Sequence, residues 1–169
     1  MKVAIIQFPG SNCDWDAEHA VQDVIGLPAG RVWHKDALPD GVEAVIVPGG
    51  FSFGDYLRCG AIARFSPIMT DLKNFAGQGG QVLGICNGFQ ILCESGLLPG
   101  ALVRNDCMEF RCLNQPLKVE NSNDRFNTET LGNPLSLPIA HGEGNYRADE
   151  DVLAGLEANN QVLLRYQPN

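Results

Sequence analysis

Cys86 lies where a thiol can act as a nucleophile, inside Gly84-Ile85-Cys86-Asn87-Gly88. The stretch before it, Gln81-Val82-Leu83, begins as a buried strand does. The stretch after it returns apolar residues at helical spacing, Phe89, Ile91 and Leu92, and ends near Ser95-Gly96. The pattern reads as strand, tight turn and helix, with the cysteine at the apex. In an open α/β sheet that apex is the carboxyl edge of the strands, where ligands bind. The first N–H groups of the following helix favour negative charge there and can hold a developing oxyanion. Gly84 and Gly88 leave room for a strained backbone and for a substrate. An inert cysteine in a plain strand-to-helix turn is the alternative reading of the same residues.

Two further segments carry groups that such a reaction uses. Pro48-Gly49-Gly50 closes an apolar run at residues 42–47. Paired glycines after a strand let backbone N–H groups approach a ligand with no Cβ in the way, although an ordinary strand-ending turn has the same composition. His141-Gly142-Glu143-Gly144 follows the run 135–140 and sets a histidine and a carboxylate two residues apart. A base with its orienting partner is one reading. Residues two apart at a strand end share a face but rarely hydrogen-bond in that geometry, which argues against His141 as the base. His19 and His34, on a helix and a strand near the N-terminus, are expected to be surface groups.

The elements that would position these groups alternate. Residues 3–8 form a continuous apolar run, as in a central parallel strand. Ser11 or Asn12 is expected to cap a helix striped by Ala17, Ala20, Val21, Val24 and Ile25 and ended by Gly26. Residues 31–34 and 42–47 read as further strands. The loop 51–60, rich in aromatic residues and glycine, bears Asp55, Tyr56 and Arg58, and a short helix is expected at 61–65. Ser66-Pro67 opens another helix, striped by Ile68, Met69, Leu72, Phe75 and Ala76 and stopped at 77–80. This rhythm predicts an open α/β sheet. Past residue 100 the pattern changes. Residues 102–103, 110–113 and 117–119 are short β-prone pieces, 121–133 reads as an exposed hairpin or loop, and 135–140 reads as a strand. A helix over 149–156 and a strand over 161–166 complete the chain. These predict an antiparallel extension laid on the parallel sheet rather than a second domain.

The spacing Gly84-x-Cys86-x-Gly88-x-Gln90 resembles the nucleophile motif of the class I glutamine amidotransferases. Gln7-Phe8-Pro9-Gly10-Ser11-Asn12-Cys13-Asp14, the run from Pro48 to Ala63, and His141-Gly142-Glu143-Gly144 are similar to the glutaminase subunits of phosphoribosylformylglycinamidine synthases. The resemblance spans most of residues 1–146. It implies a three-layer α/β sandwich with a mainly parallel sheet, flavodoxin-like, with a small antiparallel extension. It implies that Cys86 attacks the side-chain amide of glutamine, that ammonia leaves a thioester, and that water releases glutamate. One oxyanion-hole N–H would come from Gly50 or Phe51 and the other from Asn87. Gly49, Gly88 and Gln90 would shape the substrate pocket. His141, Gly142 and Glu143 would bind the α-amino and carboxylate ends of glutamine. The loop 51–60 would form the mouth of the site and a docking surface for a synthetase subunit. That subunit would use the ammonia, with ATP and Mg²⁺, to convert formylglycinamide ribonucleotide to its amidine. A small third subunit is a further candidate partner. The family's base and acidic partner belong to a Pro-His-Pro-Glu segment nearer its C-terminus, which does not occur here. The resemblance therefore implies one glutamine amidotransferase domain over 1–169 that lacks its C-terminal end, with the catalytic histidine and glutamate expected beyond Asn169. Another cysteine hydrolase on a similar fold, or a non-catalytic regulatory subunit, are the competing readings.

Composition narrows the classes. The 169 residues include 44% hydrophobic and 19% charged side chains, which are globular values. A formal net charge of -8 argues against nucleic acid or an anionic membrane as the main partner. No apolar run approaches the roughly 18 residues of a bilayer span, and a cytoplasmic location is expected. Six scattered cysteines without a C-x-x-C pair predict reduced thiols and no metal site. The chain holds no G-x-x-x-x-G-K-[ST] loop, so no cofactor is expected on it, and ATP chemistry is assigned to the partner.

Overall fold

Four short runs of Val, Ile and Ala line up in parallel, in the order β2-β1-β3-β4. They are β1 (Val3–Gln7), β2 (Ala29–Trp33), β3 (Ala44–Val47) and β4 (Gln81–Gly84). The computed structural model describes residues 2–121 and 135–168. The chain divides into two units, Met1–Pro99 and Gly100–Asn169, and the parallel sheet belongs to the first.

Side chains alternate across a strand, so β1 feeds two faces. Ala4, Ile6 and Phe8 join Val45 and Val47 in one buried cluster with Ile68, Met69 and Leu72 of α2 (Ile68–Gly77) and Ile91 and Leu92 of α3 (Asn87–Glu94). Val3 and Ile5, also buried, point the other way, where α1 (Asp14–His19) contacts β1 and β2. Helices on both faces of a parallel sheet give the three-layer α/β arrangement. Ile68, Leu72 and Ile91 are 0% exposed. Burial of each contributes about 1.5–3 kcal/mol.

The helix starts differ from the sequence expectation. Ser11 does not cap α1. Its Oγ accepts from Phe8 N–H at 3.0 Å and donates to the Phe8 carbonyl at 2.9 Å, so a local turn has claimed it. Asn12 is exposed, and α1 starts after Cys13 with no side-chain cap. The helix then winds more loosely over Ala20–Ile25 before Gly26 closes it at φ 78°. The loose turns carry later residues out of the 3.6-residue stripe. Val21 is buried, whereas Val24 and Ile25 are exposed.

His34 is a second correction: it is 5% exposed rather than a surface group. The end of β2 carries it inward, where Nδ1 lies 3.0 Å from Ser66 Oγ and the ring stands edge-on to Trp33 and Phe53. Burial, first, and Lys35, second, hold its pKa below the ordinary imidazole value of 6.5, against an opposing effect of Asp36. Below that value the unfolded chain binds a proton that the folded one resists, so stability falls as pH drops from about 6.5 toward the lower folded value. The thermal midpoint should decline more steeply between pH 7 and pH 5.5 in the native chain than in His34→Gln. Parallel declines would show that His34 is not held neutral by its surroundings.

The second unit is antiparallel. β5 (Ala101–Val103) pairs with β8 (Asn145–Arg147), and β6 (Arg111–Val119) lies between β7 (Leu135–His141) and β9 (Leu164–Tyr166). Residues 111–113 and 117–119 are therefore parts of one nine-residue strand, β6, and Phe110 precedes it. The intervening Gln115 is buried, and its Nε2 donates to the Pro116 and Gln167 carbonyls at 3.1 and 2.6 Å, so a polar residue continues the strand. α4 (Glu150–Ala158) sits between β8 and β9 in the chain. The expected loop at 121–133 lies, apart from Asn121, outside the described residues. No helix among the described residues is long and apolar enough to cross a membrane.

Candidate active site

The turn after β4 is built by close backbone approach. Ile85 N–H donates to the Val47 carbonyl at 3.0 Å, which carries β4 past the end of β3. Cys86 then takes φ 53°, ψ -113° and flanks the first residue of α3. A left-handed φ on a non-glycine residue costs on the order of 1–3 kcal/mol and persists only where its surroundings determine it. The flanking glycines leave room rather than supply the unusual φ. Neither has a positive φ; the strain sits on Cys86 itself. A Cβ on Gly88 would overlap the Val47 carbonyl oxygen, and one on Gly84 would meet Leu92 Cδ1 at 2.6 Å and Gly88 C at 3.0 Å. Both lack side chains so that α3 can lie directly on the strand ends.

Gly49 and Gly50 face this turn. A Cβ on Gly49 would stand 3.3 Å from Cys86 Cβ and 3.6 Å from Cys13 Sγ. Gly50 takes φ 129° and sits against the 10–12 loop, where a Cβ would come within 2.9 Å of the Gly10 carbonyl oxygen. The two loops are laced together: Cys13 N–H donates to the Gly49 carbonyl at 3.3 Å, Phe51 N–H to Gly10 at 2.9 Å and Phe53 N–H to Pro9 at 2.6 Å. The lacing explains why the 7–14 and 48–63 segments travel together as motifs. It also separates the two candidate donors. Phe51 N–H is taken by Gly10, whereas the N–H groups of Gly50 and Asn87 meet no acceptor among the described residues. A developing oxyanion requires free N–H groups near the thiol. These two belong to the residue after Cys86 and to the residue after Gly49, and a Cβ on Gly49 would stand 3.3 Å from Cys86 Cβ.

The remaining candidates of the first unit are close by. Asn87 is 1% exposed, and its Nδ2 donates to Gln90 Oε1 at 3.0 Å. Cys86 is exposed, and its Sγ makes no hydrogen bond among the described residues. Of the histidines in this unit, His34 is held by Ser66, and His19 lies 2.7 Å from Asp23 on the exposed face of α1. Neither is bonded to Cys86. Cys13, which the sequence argument passed over, is the thiol beside the nucleophile. Burial, then the charges of Asp16, Cys86 and Asp14, raise its pKa, so it stays protonated next to Cys86. Its place within the 7–14 motif was the available signal.

His141, Gly142 and Glu143 belong to the second unit; His141 ends β7, and Gly142 and Glu143 lie in the turn to β8. Asn105 organises that turn. Its N–H donates to the Gly142 carbonyl at 2.9 Å, and its Nδ2 donates to the carbonyls of Glu109 and His141 at 2.8 and 2.9 Å. This fixes the amide so that Oδ1 accepts, from Gly144 N–H and from His141 Nδ1, each at 3.0 Å. The proton of His141 is therefore assigned to Nδ1. Its Nε2 is buried, meets no partner among the described residues, and carries a lone pair for an ammonium or hydroxyl donor. The ring borders a pocket of about 490 Å³ that Arg111, Gln115 and Tyr166 also line. Gly144 has no Cβ because the imidazole occupies that space. Nothing in the sequence marks Asn105, a single asparagine 36 residues from the histidine that it orients.

Comparison with known proteins bears on these geometries. The model of the CobB/CobQ-like glutamine amidotransferase domain matches residues 1–169. The chain is 58% identical over 166 residues to phosphoribosylformylglycinamidine synthase subunit PurQ of Salinibacter ruber, covering 98% of this chain and 71% of that one. It is 56% identical over 170 residues to the subunit of the same name from Synechococcus elongatus, covering 100% and 77%. Among solved structures, PurLQS from Thermotoga maritima contains a chain that superposes with a TM-score of 0.84 at 41% identity, over 99% of this chain and 75% of that one. A glutamine amidotransferase from the same organism shares the fold at a TM-score of 0.56 and 16% identity, over 89% of this chain and 64% of that one.

Proposed function

The chain belongs to the CobB/CobQ-like glutamine amidotransferase family, and from that premise we propose that it is the glutaminase subunit of a phosphoribosylformylglycinamidine synthase. It hydrolyses glutamine and supplies ammonia, in a complex with a synthetase subunit, for the amidine-forming step of purine biosynthesis. The observation that carries the site assignment is Cys86 at φ 53°, with the Gly49-Gly50 loop against it and the N–H groups of Gly50 and Asn87 unengaged among the described residues.

The chemistry follows from that arrangement. The Cys86 thiolate adds to the side-chain carboxamide carbon of glutamine, and the carbonyl oxygen becomes an oxyanion. The Gly50 and Asn87 N–H groups receive it, each contributing about 3–4 kcal/mol to the transition state. The proton given up by the Cys86 thiol passes to the amide nitrogen, which leaves as ammonia, and a thioester remains on Sγ. Water then adds to the thioester carbon, one of its protons returns to Sγ as the C–S bond breaks, and glutamate departs with the thiol restored. Gly49 and Gly88 keep the space around Sγ clear, and Gln90 lines the pocket. In the second unit, His141 Nε2 supplies an acceptor for an ammonium group. ATP and Mg²⁺ belong to the synthetase subunit, a small third subunit is a candidate partner, and the complex works in the cytoplasm.

The loop 51–60 is the docking surface in this reading. Tyr56 is 73% exposed and Leu57 93%, far more than isolated apolar residues of a packed loop need to be. Unregulated hydrolysis would waste glutamine, so coupling to the partner is expected. Steady-state glutamate release should be weak for the chain alone and rise at least tenfold with the synthetase subunit and its nucleotide. Leu57→Asp should weaken that stimulation. Equal rates with and without the partner would remove the case for a subunit completed by its complex.

A further inference from the structure

We propose that the side chain of Asn87, apart from its main chain, is a positioning group for the oxyanion site, because it ties the loop carrying Gly50 to the nucleophile turn. The proposal rests on the glutaminase reading and adds to it a specific internal link. The bland role of an asparagine at the start of a helix is to bond its own local backbone. Here the side chain reaches elsewhere. Its Oδ1 accepts from Ser52 N–H at 3.1 Å, its Nδ2 donates to Asp55 Oδ1 at 3.2 Å, and Nδ2 also donates to Gln90 Oε1 at 3.0 Å. An amide offers two donors and two acceptor sites, and three of the four are used at a residue that is 1% exposed. A flipped amide would set its oxygen against the oxygens of Asp55 and Gln90 and its nitrogen against Ser52 N–H. One orientation alone fits.

The loop so held needs holding. Phe53, Asp55 and Leu57 take φ of 55°, 54° and 72°, three left-handed non-glycine residues within five positions. Each costs on the order of 1–3 kcal/mol unless outside contacts impose it. The 9–13 loop supplies one set of contacts and Asn87 the other, reaching back 35 residues to Ser52 and 32 to Asp55. Arg58 adds a fork onto Glu94 at the far end of α3, at 2.6 and 2.8 Å. Gly50 precedes Ser52 by two residues, and the Asn87 N–H is the first of α3. One buried amide thus links the segment that follows Gly50 directly to the residue that carries the second donor. A misplacement of about 1 Å at such a site costs on the order of 10²-fold in rate.

The test reverses the polarity of the link. Asn87→Asp is isosteric, keeps the Ser52 bond and places two carboxylates where a donor met an acceptor. It should lower kcat for glutamine on the order of 10²-fold and change KM much less. Because facing carboxylates share a proton, its kcat should rise as pH falls, a dependence absent from the native enzyme. The double variant Asn87→Asp with Asp55→Asn restores a donor at position 55 and an acceptor at position 87. It should recover most of the rate and lose the pH dependence. All variants are assayed in the complex, with thermal unfolding as the control for folding. If Asn87→Asp fails to fold, Asp55→Ala removes the loop's acceptor without touching α3 and should lower kcat at least about tenfold. Native kcat in Asn87→Asp, or in Asp55→Ala where that stands in, overturns the proposal, as does a folded double variant no better than the single. Absence of Cys86-dependent glutamine turnover in the native complex would instead overturn the glutaminase reading.

Discussion

Cys86→Ala is expected to abolish glutamine-dependent amidine synthesis in the complex and to leave ammonia-dependent synthesis unchanged. Two other thiols of the first unit are held protonated. Cys13, the neighbouring thiol, is held protonated by burial and by the charges around it. Cys93 is buried in α3 and pushed up to about 11, first by desolvation and then by Glu94. Loss of the nucleophile should lower glutamine turnover by at least about 10⁴-fold, because what then remains is catalysis by binding and the oxyanion donors alone. A variant retaining even a hundredth of the native glutamine rate would mean that the thioester route is wrong.

The same residue should be found by chemistry that resembles its substrate. A glutamine-like diazo-ketone should modify Cys86 selectively among the six thiols, as read by peptide mapping. The strongest competitor is Cys107, on the exposed surface of the second unit. A backbone hydrogen bond at Glu109, first, and the Arg111 side chain, whose Nε lies 3.2 Å from Sγ, lower its pKa below the ordinary thiol value. A small generic alkylating agent should therefore label Cys107 readily at neutral pH. Selectivity for Cys86 that appears with the substrate analogue and vanishes with the generic reagent separates recognition from reactivity. Preference for Cys107 under both reagents would count against a glutamine site at Cys86.

The parts that could be read from the sequence share one property: they are local. The apolar runs that became β1, β3 and β4, the glycine spacing around Cys86 and the Gly26 stop are each decided within a few residues, where periodicity and turn chemistry act. Local signals also misled where a nearby competitor existed. Ser11 has the composition of a cap, but the Phe8 backbone lies closer to its hydroxyl than the helix N–H groups do. His34 looks like a strand-end surface residue until Ser66 and Phe53, both distant in sequence, enclose it. The site's supports were invisible for the same reason. Asn87 to Asp55, Asn105 to His141 and Phe51 to Gly10 are pairings across tens of residues. No propensity records them, and each decides which N–H or ring nitrogen is free to act. Composition marks these glycines as necessary but does not distinguish a glycine needed for its φ from one needed for its missing Cβ.

That distinction carries the second large effect. Gly88→Ala is expected to disable the enzyme although no reacting atom changes. A methyl at this position would occupy the Val47 carbonyl oxygen and lie 3.0 Å from that of Pro48. Both obstacles are backbone at the end of a central strand, so neither can rotate away. α3 must move instead, and it carries the Asn87 donor and anchors Cys86. Overpacking of this kind costs about 1–3 kcal/mol, which lowers the thermal midpoint by roughly 2–4 °C for each kcal/mol. The displacement of the donor should add a loss on the order of 10²-fold in kcat. Gly77→Ala provides the contrast. Gly77 lies in α2 with nothing within 4 Å of where the alanine methyl would stand and no positive φ, so alanine there should stabilise the chain by about 0.5–1 kcal/mol with native turnover. If Gly88→Ala matches Gly77→Ala in midpoint and rate, α3 does not rest on β3 through backbone contact. The seating of Cys86 would then need another cause.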